Sequence, residues 1–385
     1  MKHIAILLTN RANLARSQTI IEYLSKSDEC RITILACSSF VLEKFGRAVN
    51  LIRDYPNTSL IEITSNVEGE SLETQAKSTG LLLIELSSIL NRERPDALVV
   101  VADRFEILAG AIGAAYQNIP VVHIQGGEVS GNIDDRVRNA VSMLSDLHFP
   151  CSSPAVRRLE TMAGRRGEII NHGCPAMDLV YTHVPVDPWK ILQNYSHVGL
   201  TPSPDTPYLL LVFHPETELY EQAQARAEAF LTAMTCPVID MHLVMLWPNV
   251  DAGSDAVAKA IRRLRESHAN LPLAVYKHFK PEDYLDVMRG ASVLVGNSSS
   301  FLREGLHLGK PAVVVGARQA NRDAGENVVF AADLGVDLVS KVREALVRKV
   351  TPGAMYGVGH AGKRIAEDIL RFVNTQPLIH ENIAR

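Results

Sequence analysis

The stretch Leu98-Val99-Val100-Val101-Ala102-Asp103-Arg104-Phe105-Glu106 runs from apolar residues into a charged turn. Pro120-Val121-Val122-His123-Ile124-Gln125-Gly126-Gly127-Glu128 does so again. Each apolar run is short and rich in β-branched residues, which reads as a strand buried on both faces. Between them, Ile107 to Tyr116 has the small and apolar residues of a packed helix, and Asp134-Asp135-Arg136-Val137-Arg138 opens another. This alternation predicts a parallel sheet covered by helices. Two successive strands then deliver polar groups at their C-terminal ends, where such a sheet forms its ligand crevice. Helix caps and loop charges are the competing reading, and it suits any one of these residues better than the cluster.

The same alternation extends outward. Towards the N-terminus, Ile4 to Leu8 is expected as a strand, Thr9-Asn10-Arg11-Ala12-Asn13 as its exit loop and Ala15 to Ser25 as a helix. Arg31 to Leu35 and Ser59 to Thr64 are further strands, and Ser71 to Leu90 is a long amphipathic helix. On the other side, Leu147 to Phe149 and Glu168 to Ile170 are strands around a helix from Ser153 to Met162. His172-Gly173-Cys174-Pro175-Ala176-Met177-Asp178 then leads into one more helix. Between Val184 and Pro207 the chain is rich in proline and loses its periodicity, which marks a domain crossover. A second series begins at Tyr208 to Phe213, with strands expected at Val238 to Asp240, His242 to Leu246, Leu273 to Tyr276, Val293 to Val295 and Ala312 to Val315. Its helices are expected at Glu218 to Met234, Asp255 to Glu266, Pro281 to Arg289 and Leu334 to Val347, and Gly362 to Val373 is a last one. The fold class is therefore α/β, with two Rossmann-like domains facing across a cleft. Residues 1–183 form the first and 184–360 the second, leaving 361–385 as a C-terminal segment. Neither a GxGxxG fingerprint nor a GxxxxGK[ST] loop is present, so a nicotinamide cofactor and a P-loop nucleotide site are not indicated.

Composition narrows the function classes. At 385 residues the chain exceeds one ordinary core, and 46% apolar with 21% charged residues suits a soluble globular protein. A formal net charge of −4 gives no general attraction to nucleic acid or to an anionic membrane. The five cysteines (Cys30, Cys37, Cys151, Cys174, Cys236) form no CxxC pair and read as buried thiols of a reducing compartment. The apolar run after Lys2-His3 stops too early for a signal peptide, and no run reaches the roughly 20 residues of a membrane span. A cytoplasmic location is expected.

Gly296-Asn297-Ser298-Ser299-Ser300 closes one strand and is expected to open a helix continuing through Glu304. Small hydroxyl residues there leave backbone N–H groups free for an anion, although an ordinary N-cap needs only one of them. Glu304, one turn in, is placed either to reach a ribose or to face solvent. Arg318, Gln319 and Arg322 follow the next strand, and the two arginines can neutralise a diphosphate or simply sit in solvent. His214, in Phe213-His214-Pro215-Glu216-Thr217, stands at a strand end facing the same crevice, where a structural role is the alternative. His123 and His148 read as packing residues, and no His/Asp/Glu spacing suggests a metal.

Arg11, Ala102-Asp103-Arg104-Phe105-Glu106, His123-Ile124-Gln125-Gly126-Gly127-Glu128, Asp134-Asp135, Arg138, His214-Pro215, Asn297-Ser298-Ser299-Ser300, Glu304, Arg318-Gln319, Arg322 and Glu326-Asn327-Val328 recur in one order. In that order they resemble the hydrolysing UDP-N-acetylglucosamine 2-epimerases of sialic-acid-type sugar biosynthesis, over nearly the whole chain. The resemblance implies a glycosyltransferase-B type fold whose C-terminal helix, within 361–385, packs back on the first domain. It implies a UDP-sugar substrate, no cofactor, no metal, and a homodimer or homotetramer. The implied reaction removes the C2 proton while UDP leaves C1; water then adds to the glycal to give free N-acetylmannosamine. Asp103 and Asp134 match the acid/base carboxylates. His214, Ser298, Ser299, Arg318 and Arg11 match the diphosphate side, with His214 expected among the catalytic residues, and Glu304 matches the ribose. Gln125, Arg138, Asn297, Ser300, Gln319 and Arg322 complete the expected substrate-binding set.

Three positions depart from the family pattern. Gln125 stands where a catalytic glutamate is usual, Asn13 where an aspartate is, and Phe301 where a glycine follows the serines. An amide takes no proton at neutral pH. Glu128, across the flexible-looking Gly126-Gly127, is therefore expected to turn into the crevice and take over as a base, with a turn cap as its alternative. A hydrolysing epimerase of a UDP-2,4-diacetamido-trideoxy sugar, a glycosyltransferase, a non-catalytic UDP-sugar binder and a non-hydrolysing epimerase stay open. The last is the least like His214-Pro215-Glu216-Thr217.

Overall fold

The apolar runs that read as strands bury nearly every side chain, as strands covered on both faces must. Residues Ile4 to Leu8 are each no more than 1% exposed, and Ala97 to Val101 are fully buried. The architecture comes from a computed structural model that describes residues 1–375 apart from 44, 45, 53, 70, 132, 249–251 and 269. Residues 376–385 of the expected C-terminal segment lie outside the described residues.

The first half runs β1 (Lys2–Leu8), α1 (Arg11–Ser25), β2 (Cys30–Cys37), β3 (Thr58–Ile63), α2 (Leu72–Glu93), β4 (Ala97–Val101) and α3 (Phe105–Ala115). It continues through β5 (Val121–Ile124), α4 (Ile133–Met143), β6 (Leu147–Phe149), α5 (Ser153–Glu160), β7 (Glu168–Ile169) and α6 (Ala176–Thr182). The second half opens with α7 (Pro188–Asn194), β8 (His197–Gly199), β9 (Tyr208–Val212), α8 (Ala223–Met234), β10 (His242–Leu246), α9 (Ser254–Ser267) and β11 (Leu273–Tyr276). It then passes through α10 (Pro281–Gly290), β12 (Val293–Gly296), α11 (Ser299–Leu302), α12 (Glu304–His307), β13 (Ala312–Val315), β14 (Val328–Ala331) and α13 (Val336–Leu346). The last helix is α14 (Ala361–Thr375).

Two seven-stranded sheets result, in the orders β3-β2-β1-β4-β5-β6-β7 and β14-β13-β12-β9-β10-β11-β8. Every pairing is parallel except β8 with β11. In each sheet the winding reverses once, between β1 and β4 in the first and between β9 and β12 in the second. Such reversals open a crevice above the strand ends. Apolar side chains fill both faces of each sheet. The chain's last helix belongs to the first core: Ile365, Ile369 and Val373 of α14 pack among residues of β1, β2 and α1. The Asp178 carboxylate holds the start of α14, accepting from the Ala361 and Gly362 N–H groups at 2.7 Å each. This is the glycosyltransferase-B arrangement. No helix among the described residues is long and apolar enough to cross a membrane.

Several expected elements differ. Val238 to Asp240 is a turn and not a strand: Pro237 precedes it and Asp240 has φ +32°. Val238 is 55% exposed, so the run has only one buried face position. The helix expected from Glu218 begins as a 3-10 segment (Thr217–Gln222) with a non-helical Leu219, and α8 starts only at Ala223. The proline-rich crossover contains an element pair, since Pro188 occupies the first turn of α7 and the Asp187 side chain caps it by accepting from Trp189 N–H at 3.0 Å. Cys236 is half-buried, whereas the other four thiols are buried as expected.

Candidate active site

Both winding reversals carry expected site residues. Asn10 and Arg11 follow β1, and Ala102 and Asp103 follow β4. His214 follows β9, and Asn297 to Ser300 follow β12. The two crevices open onto one cleft of about 1110 Å³ between the domains, lined from both sides. Arg11, Asp103, Gln125, Asp134, His214, Ser298, Ser299, Ser300, Glu304, Arg318, Gln319 and Arg322 all face it, whereas Glu128, Arg138 and Asn297 do not line it.

On the first domain, strands end in sharp turns. Ser38, Ala102 and Gln125, each just past β2, β4 and β5, adopt positive φ of 54°, 67° and 69°. Non-glycine residues pay strain for that conformation, and it gathers where a backbone must turn a side chain towards a site. Asn13 ties two of these ends together. Its Oδ1 accepts from Thr9 Oγ1 at 2.8 Å and its Nδ2 donates to the Val101 carbonyl at 3.3 Å. An aspartate could not make the second bond, so the amide at position 13 has a structural reason in this chain.

Asp103 sits against Arg138, which donates to it through Nε at 3.1 Å and through Nη2. Arg138 is fully buried and also donates to the Glu128 carbonyl at 2.6 Å and to Asp135 at 2.5 Å. It therefore stands behind the cleft, orienting the carboxylate. Burial alone would raise the Asp103 pKa, but Arg138, Arg322 and Arg16 hold it well below the usual carboxylate range. Asp134, in the first turn of α4, is half-buried in the cleft wall. His123 is a packing residue as expected: it bridges Ser142 Oγ and the Ala102 carbonyl, and burial lowers its pKa to about 3.

Glu128 has a different setting from the one expected. It is 4% exposed, lies under the cleft floor and pairs through Oε2 with Arg303 and Arg322 of the second domain. Burial would raise its pKa, but these arginines, Arg303 first, keep it low. Gly126-Gly127 is no hinge. A Cβ on Gly127, at φ +76°, would lie 2.3 Å from the Ala155 carbonyl, so the glycines permit close packing.

On the second domain, Asn297 is fully buried and clasps β9 to β12: its Oδ1 accepts from His214 N–H and its Nδ2 donates to the His214 carbonyl, both at 2.8 Å. That leaves the three serines to the cleft. Ser298 caps α11, Ser300 Oγ sits 2.8 Å from Ser298 Oγ and 2.9 Å from the Tyr284 hydroxyl. The expected helix through Glu304 breaks at Arg303, whose ψ of −77° separates α11 from α12. Phe301 is buried in the second core. Glu304 lines the cleft with a buried Oε2 that has no partner among the described residues, and burial raises its pKa despite Arg16 and Arg303. Arg318 donates to the Pro215 carbonyl at 3.1 Å, while Arg322 is engaged by Gln319 Oε1 at 2.7 Å and by Glu128. Arg11 also lines the cleft; its Nε is buried without a hydrogen-bond partner among the described residues, and burial lowers its pKa.

Sequence reasoning missed Arg16, whose Nη2 crosses the cleft to Ser299 Oγ at 3.4 Å. An arginine inside a helix carries no mark that separates it from a solvated one. It also missed Trp247 and Lys277-His278-Phe279, which line the cleft just past β10 and β11; the strand-end rule that found His214 would have found them. Among the described residues, no group of three or more His, Cys, Asp or Glu side chains could share a metal ion.

Known proteins share this fold and much of this sequence. The family profile for UDP-N-acetylglucosamine 2-epimerase matches residues 23–370. The chain is similar to the UDP-N,N'-diacetylbacillosamine 2-epimerase (hydrolyzing) of Legionella pneumophila, 27% identical over 366 residues that cover 94% of each chain. It is also similar to the UDP-N-acetylglucosamine 2-epimerase of Neisseria meningitidis serogroup B, 26% identical over 332 residues, 86% of this chain and 83% of the other. A crystal structure of UDP-GlcNAc 2-epimerase from Neisseria meningitidis bound to UDP-GlcNAc shares the fold, with a TM-score of 0.72 at 19% identity over 96% of this chain and 100% of that one. A profile that spans most of the residues from α1 to α14 leaves one assignment: the chain belongs to the UDP-N-acetylglucosamine 2-epimerase family.

Proposed function

We propose that this chain is a hydrolysing 2-epimerase that converts UDP-N-acetylglucosamine, or a close 2-acetamido analogue, to UDP and the free 2-epimeric sugar. The observation that carries the reading is the polarity of the cleft. Asp103 and Asp134 face it from the first domain, with Arg11 and Arg16 beside them, while the serine loop, His214 and Arg318 face it from the second. A leaving diphosphate needs cations and N–H donors, and proton transfer at C2 needs carboxylates. In the proposed reaction the C2–H bond breaks to a carboxylate, its electrons form the C1–C2 double bond, and the C1–O bond breaks as UDP departs. Water then adds its hydroxyl to C1 while a proton returns to the opposite face of C2. Asp103, kept ionised by its arginines, serves as a proton acceptor at neutral pH, and Asp134 shares the remaining transfer. Gln125 holds a polar substituent of the sugar, and Glu304 the ribose. The same reading makes the protein a cytoplasmic homodimer or homotetramer.

Incubation with UDP-N-acetylglucosamine in deuterated water tests this. NMR should show free N-acetylmannosamine carrying deuterium at C2, together with UDP. Free sugar released without exchange at C2 would mean simple hydrolysis and would end the epimerase reading. A second substrate is favoured by the Legionella relative, which by its name acts on UDP-N,N'-diacetylbacillosamine. Turnover of that 2,4-diacetamido sugar in preference to UDP-N-acetylglucosamine would select it.

A further inference from the structure

Tyr284 lines the cleft from within α10, where no local pattern in the sequence singles it out. Its ring packs against the core that also holds Phe301, and its hydroxyl lies 2.9 Å from Ser300 Oγ. Ser300 Oγ lies 2.8 Å from Ser298 Oγ, which already accepts from the Ser300 N–H at 3.4 Å in capping α11. Ser298 is also within hydrogen-bond reach of the phenol. Three hydroxyls therefore form one small network between the body of the second domain and the cleft. Ser299 is engaged differently: its Oγ accepts from Arg16 Nη2 of the first domain at 3.4 Å.

Each hydroxyl has one proton to give and two lone pairs to fill, so the direction of the network decides which proton is left over. A phenol, with a pKa of about 10, is far more acidic than an alkyl hydroxyl. It shares its lone pairs with the ring, which makes Tyr284 the donor at its end. Desolvation raises its pKa further, so the proton stays on it at neutral pH. Ser298 Oγ accepts from the Ser300 N–H and from a hydroxyl, which fills both lone pairs and leaves its own proton for the cleft. We propose that Tyr284 is a positioning residue for the serine loop: by donating into it, the tyrosine turns the Ser298 hydroxyl proton outward, towards a phosphate oxygen of the nucleotide. Without the phenolic donor nothing fixes which serine gives its proton to the other, and a Ser298 that donates inward shows a lone pair to the anion. The proposal rests on the UDP-sugar reading above and adds to it a residue that acts through Ser298.

Calorimetric titration with UDP, on the wild type, Tyr284→Phe, Ser298→Ala and the double variant, tests this. Tyr284→Phe keeps the ring and should weaken UDP by about tenfold or more, the size of one hydrogen bond to a charged group. Ser298→Ala should weaken it to a similar degree, and Tyr284→Phe added to Ser298→Ala should cost nothing further, because the tyrosine acts through that hydroxyl. A packing role would weaken UDP equally in both backgrounds. If Tyr284→Phe fails to fold, Ser300→Ala breaks the same network without touching α10, and its loss should likewise vanish in the Ser298→Ala background. A Tyr284→Phe variant that binds UDP like the wild type, or losses that add in the double variant, overturns the proposal while leaving UDP binding standing. Failure of the wild type to bind UDP overturns the functional reading itself, and the proposal with it.

Discussion

Glu128 and Gln125 leave the same strand end and go to different places, one beneath the cleft and one into it. A carboxylate buried between two guanidiniums is an anchor, and removing its charge strands both cations. Glu128→Gln should therefore cost on the order of 3 kcal/mol of unfolding free energy, measured by denaturant titration. A base role would show instead as a roughly 10²–10⁴-fold loss of turnover at unchanged stability. Stability within about 0.5 kcal/mol of wild type would remove the anchor assignment. Local sequence could not have shown this partnership, because Arg303 and Arg322 lie 175 and 194 positions further along. Asp103 and Ser298 were legible because each sits where a short apolar run stops, and that pattern is local. Asn297 looked like a ligand for the same reason and Arg138 through the family resemblance, yet Asn297 bonds the His214 backbone and Arg138 bonds Asp103.

At the level of elements, the second domain's site hangs on the close of β12. Gly296 has φ +140° and pairs with Val212 of β9; a Cβ there would lie 2.0 Å from the Val212 carbonyl. Gly296→Ala should cost roughly 1–3 kcal/mol and displace the serine loop, so UDP affinity falls along with the melting temperature. A variant that melts lower and binds UDP as before would show that the loop holds its place without β12. Alternating strands and helices were readable almost throughout, since buried parallel strands are nearly continuous apolar runs. Where the reading slipped, a local feature overrode periodicity: Pro237 before the expected strand at Val238, Leu219 ahead of α8, and Arg303 between α11 and α12.

Across the whole molecule, ion pairs join the domains: besides Glu128 with its arginines, Arg158 grips Asp323 at 2.9 and 2.7 Å. Because cations already line the cleft, activity should survive an excess of chelator; loss on chelation and recovery with magnesium would contradict that. Buried imidazoles contribute to the loss of stability in acid. Burial lowers His123 to about 3, and His148 and His307 to about 4, from an ordinary 6.5. These groups stay neutral in the fold and take protons on unfolding, so between pH 6.5 and about 4 the unfolded chain binds more protons. Stability should fall as pH drops through that window, and a melting temperature flat across it would be incompatible with neutral buried histidines. The place of α14 bears on how the protein is made. A ribosome releases the first domain's strands long before it reaches Ile365, Ile369 and Val373, which complete that domain's core. At about 5–20 residues per second, the nascent first half waits roughly 10–40 seconds with an uncovered apolar face, a natural client for a chaperone until the last helix arrives.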